Sequence, residues 1–418
     1  MNAAEVAAAR PRQDAQGNPI RYAATGHVSN YDEAKVGNLP LPDPLVLQNG
    51  QPVRDAATWT KLRRPELIGL YEREIFGRVP ERAPKVMFAT VATEAGAMGG
   101  TATKKHIVMT CGEGPGAVKV NVVLFLPAKA SGPVPLALQL LFGDAAGYTP
   151  PPLPPSADGK APRRAINDAG PVADFLARGW GYASLRYTEI QADAATTFAS
   201  GVMALSYAPG QTKPAAGEWG TISAWAWGAS RVLDFLVKEP GVDAQRVALV
   251  GHSRLGKTVL WAGARDPRFA LMFASCSGEM GASLARRDFG ESLDDVAASF
   301  PWWCEAGFGK FAGRWGDLPV DSHTVIALNA PRPVFVTGGT EDMWADPHGQ
   351  FLAMVAAGPV YRLLGKKDAG ATVLPPLDQP LVTGSLGFLF HTGKHTITAG
   401  DWQAFFAFAD RHFGAGKR

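Results

Sequence analysis

A serine acts as a nucleophile when a tight turn holds it beside a base, and the segment RVALVGHSRLGKTVLWAGARD offers such a turn at Ser253. An apolar run reading as a buried strand leads into Gly251-His252-Ser253-Arg254-Leu255-Gly256, and a helix pattern follows at once. Strand, sharp turn and helix are the context of a nucleophile elbow, where small residues let the backbone crowd the serine. The second glycine falls one place later than the usual G-x-S-x-G spacing. A helix N-cap would explain the serine but not the glycines. At a helix start, Ser253 also gains from the positive end of the helix dipole.

An ester-cleaving serine needs oxyanion donors, a base and an acid. The backbone N–H of Arg254 is the expected first donor, and the loop Phe142-Gly143-Asp144 after an apolar strand is the expected source of a second. The Arg254 guanidinium would either add charged donors at the oxyanion or bind a substrate carboxylate. The base should come late, because this arrangement orders its triad serine, acid, histidine. His395, on a glycine-containing loop before the last helix, fits. His391 closes an apolar run and reads as structural, and His412 lies inside the closing helix. The acid is expected after the strand RPVFVTG, where Asp342 has the G-x-x-D spacing from Gly339; Glu341, Asp346 and, after the preceding strand, Glu279 are the alternatives.

The elements that must position these groups alternate. Extended segments KVMFATVAT, HIVMTC, VKVNVVLFLPA and PVPLALQLL precede a helix PVADFLARG, a strand GYASLRY and a strong helix SAWAWGASRVLDFLVK. The elbow strand and helix, strands FALMFASC and RPVFVTGG, and the helix DWQAFFAFADRHF complete the series. Such alternation implies a mostly parallel sheet with right-handed crossovers, so the fold class is α/β: an α/β-hydrolase fold, a three-layer sandwich. Residues 1–80 read as a lead-in and one helix (58–77) packed on the core, and 81–418 as the catalytic domain with surface insertions, the Pro-rich stretch 149–163 among them.

Composition excludes other classes. With 46% hydrophobic and 19% charged residues the chain of 418 can bury a large core, and a formal net charge of +3 without basic runs argues against nucleic-acid or membrane partners. Cys111, Cys276 and Cys304 are too few for a disulfide framework and lack zinc-type spacing, so three buried thiols, no metal and no cofactor are expected. Eleven tryptophans suit a sugar-facing cleft, since flat sugar faces stack on rings. A monomer is expected.

The elbow GHSRLGK resembles that of the glucuronoyl esterases, carbohydrate esterase family fifteen. EWGTISAWAWGASRVLDFL, SGEMGASLARRDFGES, SFPWW, IALNAPRPV, TEDMWADPHGQFL and the GKH before the final helix are similar to bacterial members, and the likeness begins at NYDEAKVGNLPLPDPLVL. The resemblance implies hydrolysis of esters joining 4-O-methyl-glucuronic acid of xylan to lignin alcohols. It puts Ser253 and His395 in the triad, Arg254 at the oxyanion, Lys257 on sugar hydroxyls, and Trp303 and Glu291 along the sugar subsite. One departure stands out: many members carry a glutamate acid after the strand following the elbow, where this chain has Cys276. That favours an acid within TEDMWADP. Family members are usually exported, which implies a secreted or periplasmic enzyme whose leader is absent from this chain; the N-terminal residues themselves leave a cytoplasmic location open. An acetyl or short-acyl carbohydrate esterase would share the triad without needing basic residues beside the serine, and a catalytically dead, sugar-binding hydrolase fold would lack it.

Overall fold

A computed structural model describes residues 11–150 and 166–414. All but the first residues of the Pro-rich stretch, and the extreme N-terminus, lie outside the described residues. One nine-stranded sheet runs in the order β1-β2-β3-β5-β4-β6-β7-β8-β9. β1 (Val86–Gly96), β2 (Ala102–Cys111) and β3 (Val118–Pro127) form an antiparallel meander, and β3 pairs antiparallel with β5 (Gly181–Arg186). From β5 onward β4 (Val134–Leu141), β6 (Val242–His252), β7 (Leu271–Ser275), β8 (Val334–Gly339) and β9 (Leu386–His391) are parallel.

The strand residues divide cleanly between two cores, as a period of two requires. Leu136, Leu138, Val247, Leu249, Met272, Val334 and Val336 face the larger core; Ala137, Ala248, Val250, Phe273 and Phe335 face the smaller one. The larger core is closed by α1 (Arg64–Glu74), α3 (Thr221–Leu236), α4 (Arg254–Arg265), α6 (Ser322–Ala327) and α7 (Pro347–Leu363). The smaller is closed by α2 (Val172–Ala177) and α8 (Ala399–Phe413), whose Trp402, Phe405, Phe406 and Phe408 pack with Phe175, Phe273 and Phe335. α5 (Leu293–Ser299) carries a capping box at Ser292 and Asp295 and leads into the Trp302-Trp303 loop.

Four of these elements, α5, α6, α7 and β9, escape the sequence reading. β9 is a six-residue apolar run containing Gly387, where an added Cβ would lie 2.7 Å from the Phe408 ring, so the glycine lets α8 approach the sheet. α7 carries Gly349, Gly358 and an interior Pro359, residues that weaken a helix signal; packing of Phe351, Met354 and Tyr361 against the sheet outweighs that. The three cysteines are buried and unbridged.

Candidate active site

Open parallel sheets present their sites outside the carboxyl ends of the strands. Four neighbouring strands here each deliver one residue: Ser253 follows β6, Cys276 follows β7, Asp342 follows β8 and His395 follows β9.

Ser253 takes φ +58° and ψ −129°, a conformation that costs a non-glycine residue roughly 1–3 kcal/mol. The turn is held from both sides. Ser253 N–H donates to the Ser275 carbonyl at 2.8 Å, and the Ser253 carbonyl accepts from Gly256 N–H at 2.8 Å. A Cβ on Gly251 would lie 2.4 Å from the Leu255 carbonyl oxygen, and one on Gly256 would lie 2.8 Å from Ser277 Cβ. The displaced second glycine therefore still serves close approach, of α4 to the chain leaving β7.

His395 Nδ1 bonds Asp342 Oδ2 at 2.6 Å. Asp342 is buried, whereas 40% of the His395 side chain is exposed, and Nδ1 is the ring nitrogen taken by Asp342. The His395 ring centroid lies 4.4 Å from that of His252, the residue before Ser253. Burial, with His395 beside it, pushes the His252 imidazole down to about 3, so it stays neutral and puts no charge beside the base. The loop bearing His395 is anchored by His391, whose Nδ1 bonds Asp401 Oδ1 at 3.0 Å and whose Nε2 faces the Lys394 carbonyl at 3.3 Å. Asp401 also caps α8 through Thr398. Burial alone would lower the His391 pKa; Asp401 reverses this and holds it above the usual histidine value.

The other acid candidates are engaged elsewhere. Glu341 is exposed. Asp346 is buried against Arg287, Ser283 and the Gly349 N–H. Glu279 is buried near Asp321, Lys257 and Glu291, and burial followed by Asp321 raises its pKa far above the carboxylate range. Cys276 does lie where the strand register puts it: its Sγ, an Asp342 oxygen and a His395 ring nitrogen are within 4.8 Å of one another. Its thiol is pushed up by burial and then by Asp342, so it stands protonated beside the carboxylate.

Three sets of expected contact groups have protein partners in this structure. Phe142 and Gly143 N–H donate to the Asp168 carboxylate at 2.8 and 3.0 Å, so two of the three N–H groups of the Phe142-Gly143-Asp144 loop are occupied. Lys257 is buried, and its Nζ donates to the Ser277 carbonyl (2.7 Å), the Glu279 carbonyl (2.5 Å) and Glu291 Oε2 (3.2 Å), which uses all three of its hydrogens. In this arrangement Lys257 and Glu291 brace the chain after β7. Trp303 is 2% exposed, stacked on Phe300 at 4.0 Å, and the half-buried indole is its neighbour Trp302.

Sequence reasoning missed Asp193. Its Oδ1 accepts from Trp302 Nε1 and Trp303 Nε1, both at 2.7 Å. Its Oδ2 accepts from Tyr187 Oη at 2.9 Å and from Arg254 Nη1. Burial pushes its pKa up, but Arg254 and the two indoles more than reverse that, so it stays ionised below its usual value. Nothing in its local sequence, QADAA, marks this role.

A three-layer α/β sheet with a serine on a strained elbow and a histidine–carboxylate pair at the adjoining strand ends defines an α/β-hydrolase-fold enzyme of the carboxylic ester hydrolase class. A family model described as glucuronyl esterase, fungi, matches residues 211–365. The chain is 38% identical over 409 residues to carbohydrate esterase MZ0003 from an unknown prokaryotic organism, covering 93% of each. A solved glucuronoyl esterase from Solibacter usitatus superposes with a TM-score of 0.83 at 40% identity, covering 91% of this chain and all of that one. A 4-O-methyl-glucuronoyl methylesterase of Phanerochaete carnosa is 28% identical over 78% of this chain and 73% of its own. The chain belongs to the glucuronoyl esterases of carbohydrate esterase family fifteen.

Proposed function

We propose that this enzyme hydrolyses 4-O-methyl-glucuronoyl esters, such as those linking glucuronoxylan to lignin alcohols, through a Ser253–His395–Asp342 triad and an acyl-enzyme. The observation that carries the triad is the 2.6 Å bond between His395 Nδ1 and Asp342, with the His395 ring beside the Ser253 elbow.

Asp342 fixes the tautomer that carries its proton on Nδ1, so Nε2 accepts the Ser253 Oγ proton as the oxygen attacks the ester carbonyl. The tetrahedral oxyanion forms at the start of α4. The Arg254 N–H there belongs to the first helical turn and has no intrahelical acceptor. Arg254 Nε–H is buried and has no partner among the described residues, a donor that costs free energy until an acceptor arrives. Both suit an oxygen that becomes negative only during reaction. His395 then protonates the departing alcohol, and a water activated by the same Nε2 releases the uronic acid. The half-buried Trp302 indole near Arg254 suits one face of the sugar ring. A substrate held in plant cell walls suits an exported enzyme. Among the described residues no helix is long and apolar enough to cross a membrane.

The test is a comparison of kcat/KM for methyl 4-O-methyl-glucuronate and an acetylated xylose. The expected result favours the glucuronate by at least about a hundredfold, since a site built around sugar and carbonyl contacts discriminates by several kcal/mol. Equal or reversed values would move the assignment to a short-acyl carbohydrate esterase.

A further inference from the structure

Asp193 lies at the centre of this site and has little open surface: only 8% of its side chain is accessible. Four donors from three segments converge on it, namely Tyr187, Arg254, Trp302 and Trp303. That fills the roughly four acceptor positions a carboxylate has. It has no capacity left for a substrate hydroxyl, so it acts through its neighbours.

Of those neighbours Arg254 matters most. Its guanidinium lies 4.9 Å from the Trp303 ring, with Phe300 and Phe142 at 5.6 and 5.7 Å, and the Asp193 bond fixes one of its amino groups. The pair as a whole carries no net charge. The ester substrate is neutral at the reacting carboxyl, whereas the product is an anion. An unpaired guanidinium beside the nucleophile would bind that product by a charge-assisted, bidentate contact. We propose that Asp193 is a positioning residue that keeps Arg254 as an oriented but charge-compensated donor, so that the site polarises a neutral ester carbonyl and lets the uronate product go. The inference rests on the ester-hydrolase reading of the same site.

Asp193→Asn separates the two arms. Its amide oxygen still accepts from both indoles, while its NH₂ accepts nothing from Arg254 or Tyr187. Ester hydrolysis is followed with free 4-O-methyl-glucuronate as inhibitor, and binding of that anion is measured independently by calorimetry. In Asp193→Asn, kcat falls and the anion binds roughly tenfold tighter, the scale of one hydrogen bond to a charged group. A residue with a merely structural role would weaken or leave unchanged the affinity for product. In the double variant Asp193→Asn/Arg254→Gln, which removes both charges together, the anion binds within about twofold of wild type while kcat stays low. Removing both partners of an ion pair is tolerated better than removing one, so this variant still puts the proposal at risk if the single one does not fold. Unchanged or weaker product binding in Asp193→Asn, or a loss of tenfold or more in the double variant, would overturn the proposal. A wild type that hydrolyses no glucuronate ester would instead overturn the reading beneath it.

Discussion

Ser253→Ala is expected to lower kcat for a glucuronate ester by about 10⁵–10⁶-fold while leaving the melting temperature close to wild type. Loss of the serine from a comparable triad costs about that much, and what remains reflects oxyanion and binding contacts alone. The fold should tolerate the change because the elbow is held by the Ser253 backbone bonds to Ser275 and Gly256 and by the close approaches at Gly251 and Gly256, none of which uses the hydroxyl. Steady-state kinetics and thermal denaturation on the same preparation check both halves. Turnover within tenfold of wild type would remove Ser253 from the mechanism.

Asp342→Asn comes next, with an expected fall in kcat of about 10⁴. The asparagine is nearly isosteric, but its amide stabilises the wrong histidine tautomer and offers no charge to the imidazolium. Glu341→Gln and Glu279→Gln are the controls. Glu341 is exposed and should leave kcat near wild type. The Glu279 carboxyl accepts from Met280 N–H, and burial followed by Asp321 raises its pKa, so glutamine keeps the acceptor, loses no favoured charge, and should also have a small effect on kcat. A severe loss in Glu279→Gln with a mild one in Asp342→Asn would assign the acid to the chain after β7. The thiol of Cys276 occupies the strand end there, in contact distance of Asp342 and His395.

What the sequence made legible is what local chain geometry dictates. Ser253 stood out because a strand, two glycines and a helix leave no other arrangement of that turn. His395 followed from the order in which successive strands deliver their loops, and Asp342 from its spacing after β8. The departures come from groups whose partners are remote in sequence. Asp193 meets Arg254 61 residues away and the two indoles 109 and 110 residues away. The loop after β4 has the position of an oxyanion donor, yet Asp168, some 25 residues on, takes two of its N–H groups. Trp302 and Trp303 are adjacent, and it is Trp303 that stacks on Phe300 and lies under Arg254 and Lys257, contacts that spacing alone does not reveal. Lys257 lies one helical position beyond Gly256, whose approach to Ser277 brings the ammonium into the carbonyls of the same chain. Spacing places a side chain on an element; the groups that surround it are set by the tertiary fold.

The central claim is that Ser253 meets a glucuronate ester at the ends of β6 to β9. A crystal structure of the Ser253→Ala variant with methyl 4-O-methyl-glucuronate tests it most directly. The account predicts the ester carbon about 3–3.5 Å from the position the serine oxygen would occupy, the near-attack distance. It also predicts the carbonyl oxygen turned toward Arg254, the methoxyl group on the His395 side and the sugar beside Trp302. A sugar bound away from the elbow, or one whose ester faces Lys257 and Glu291 with Arg254 untouched, would contradict it.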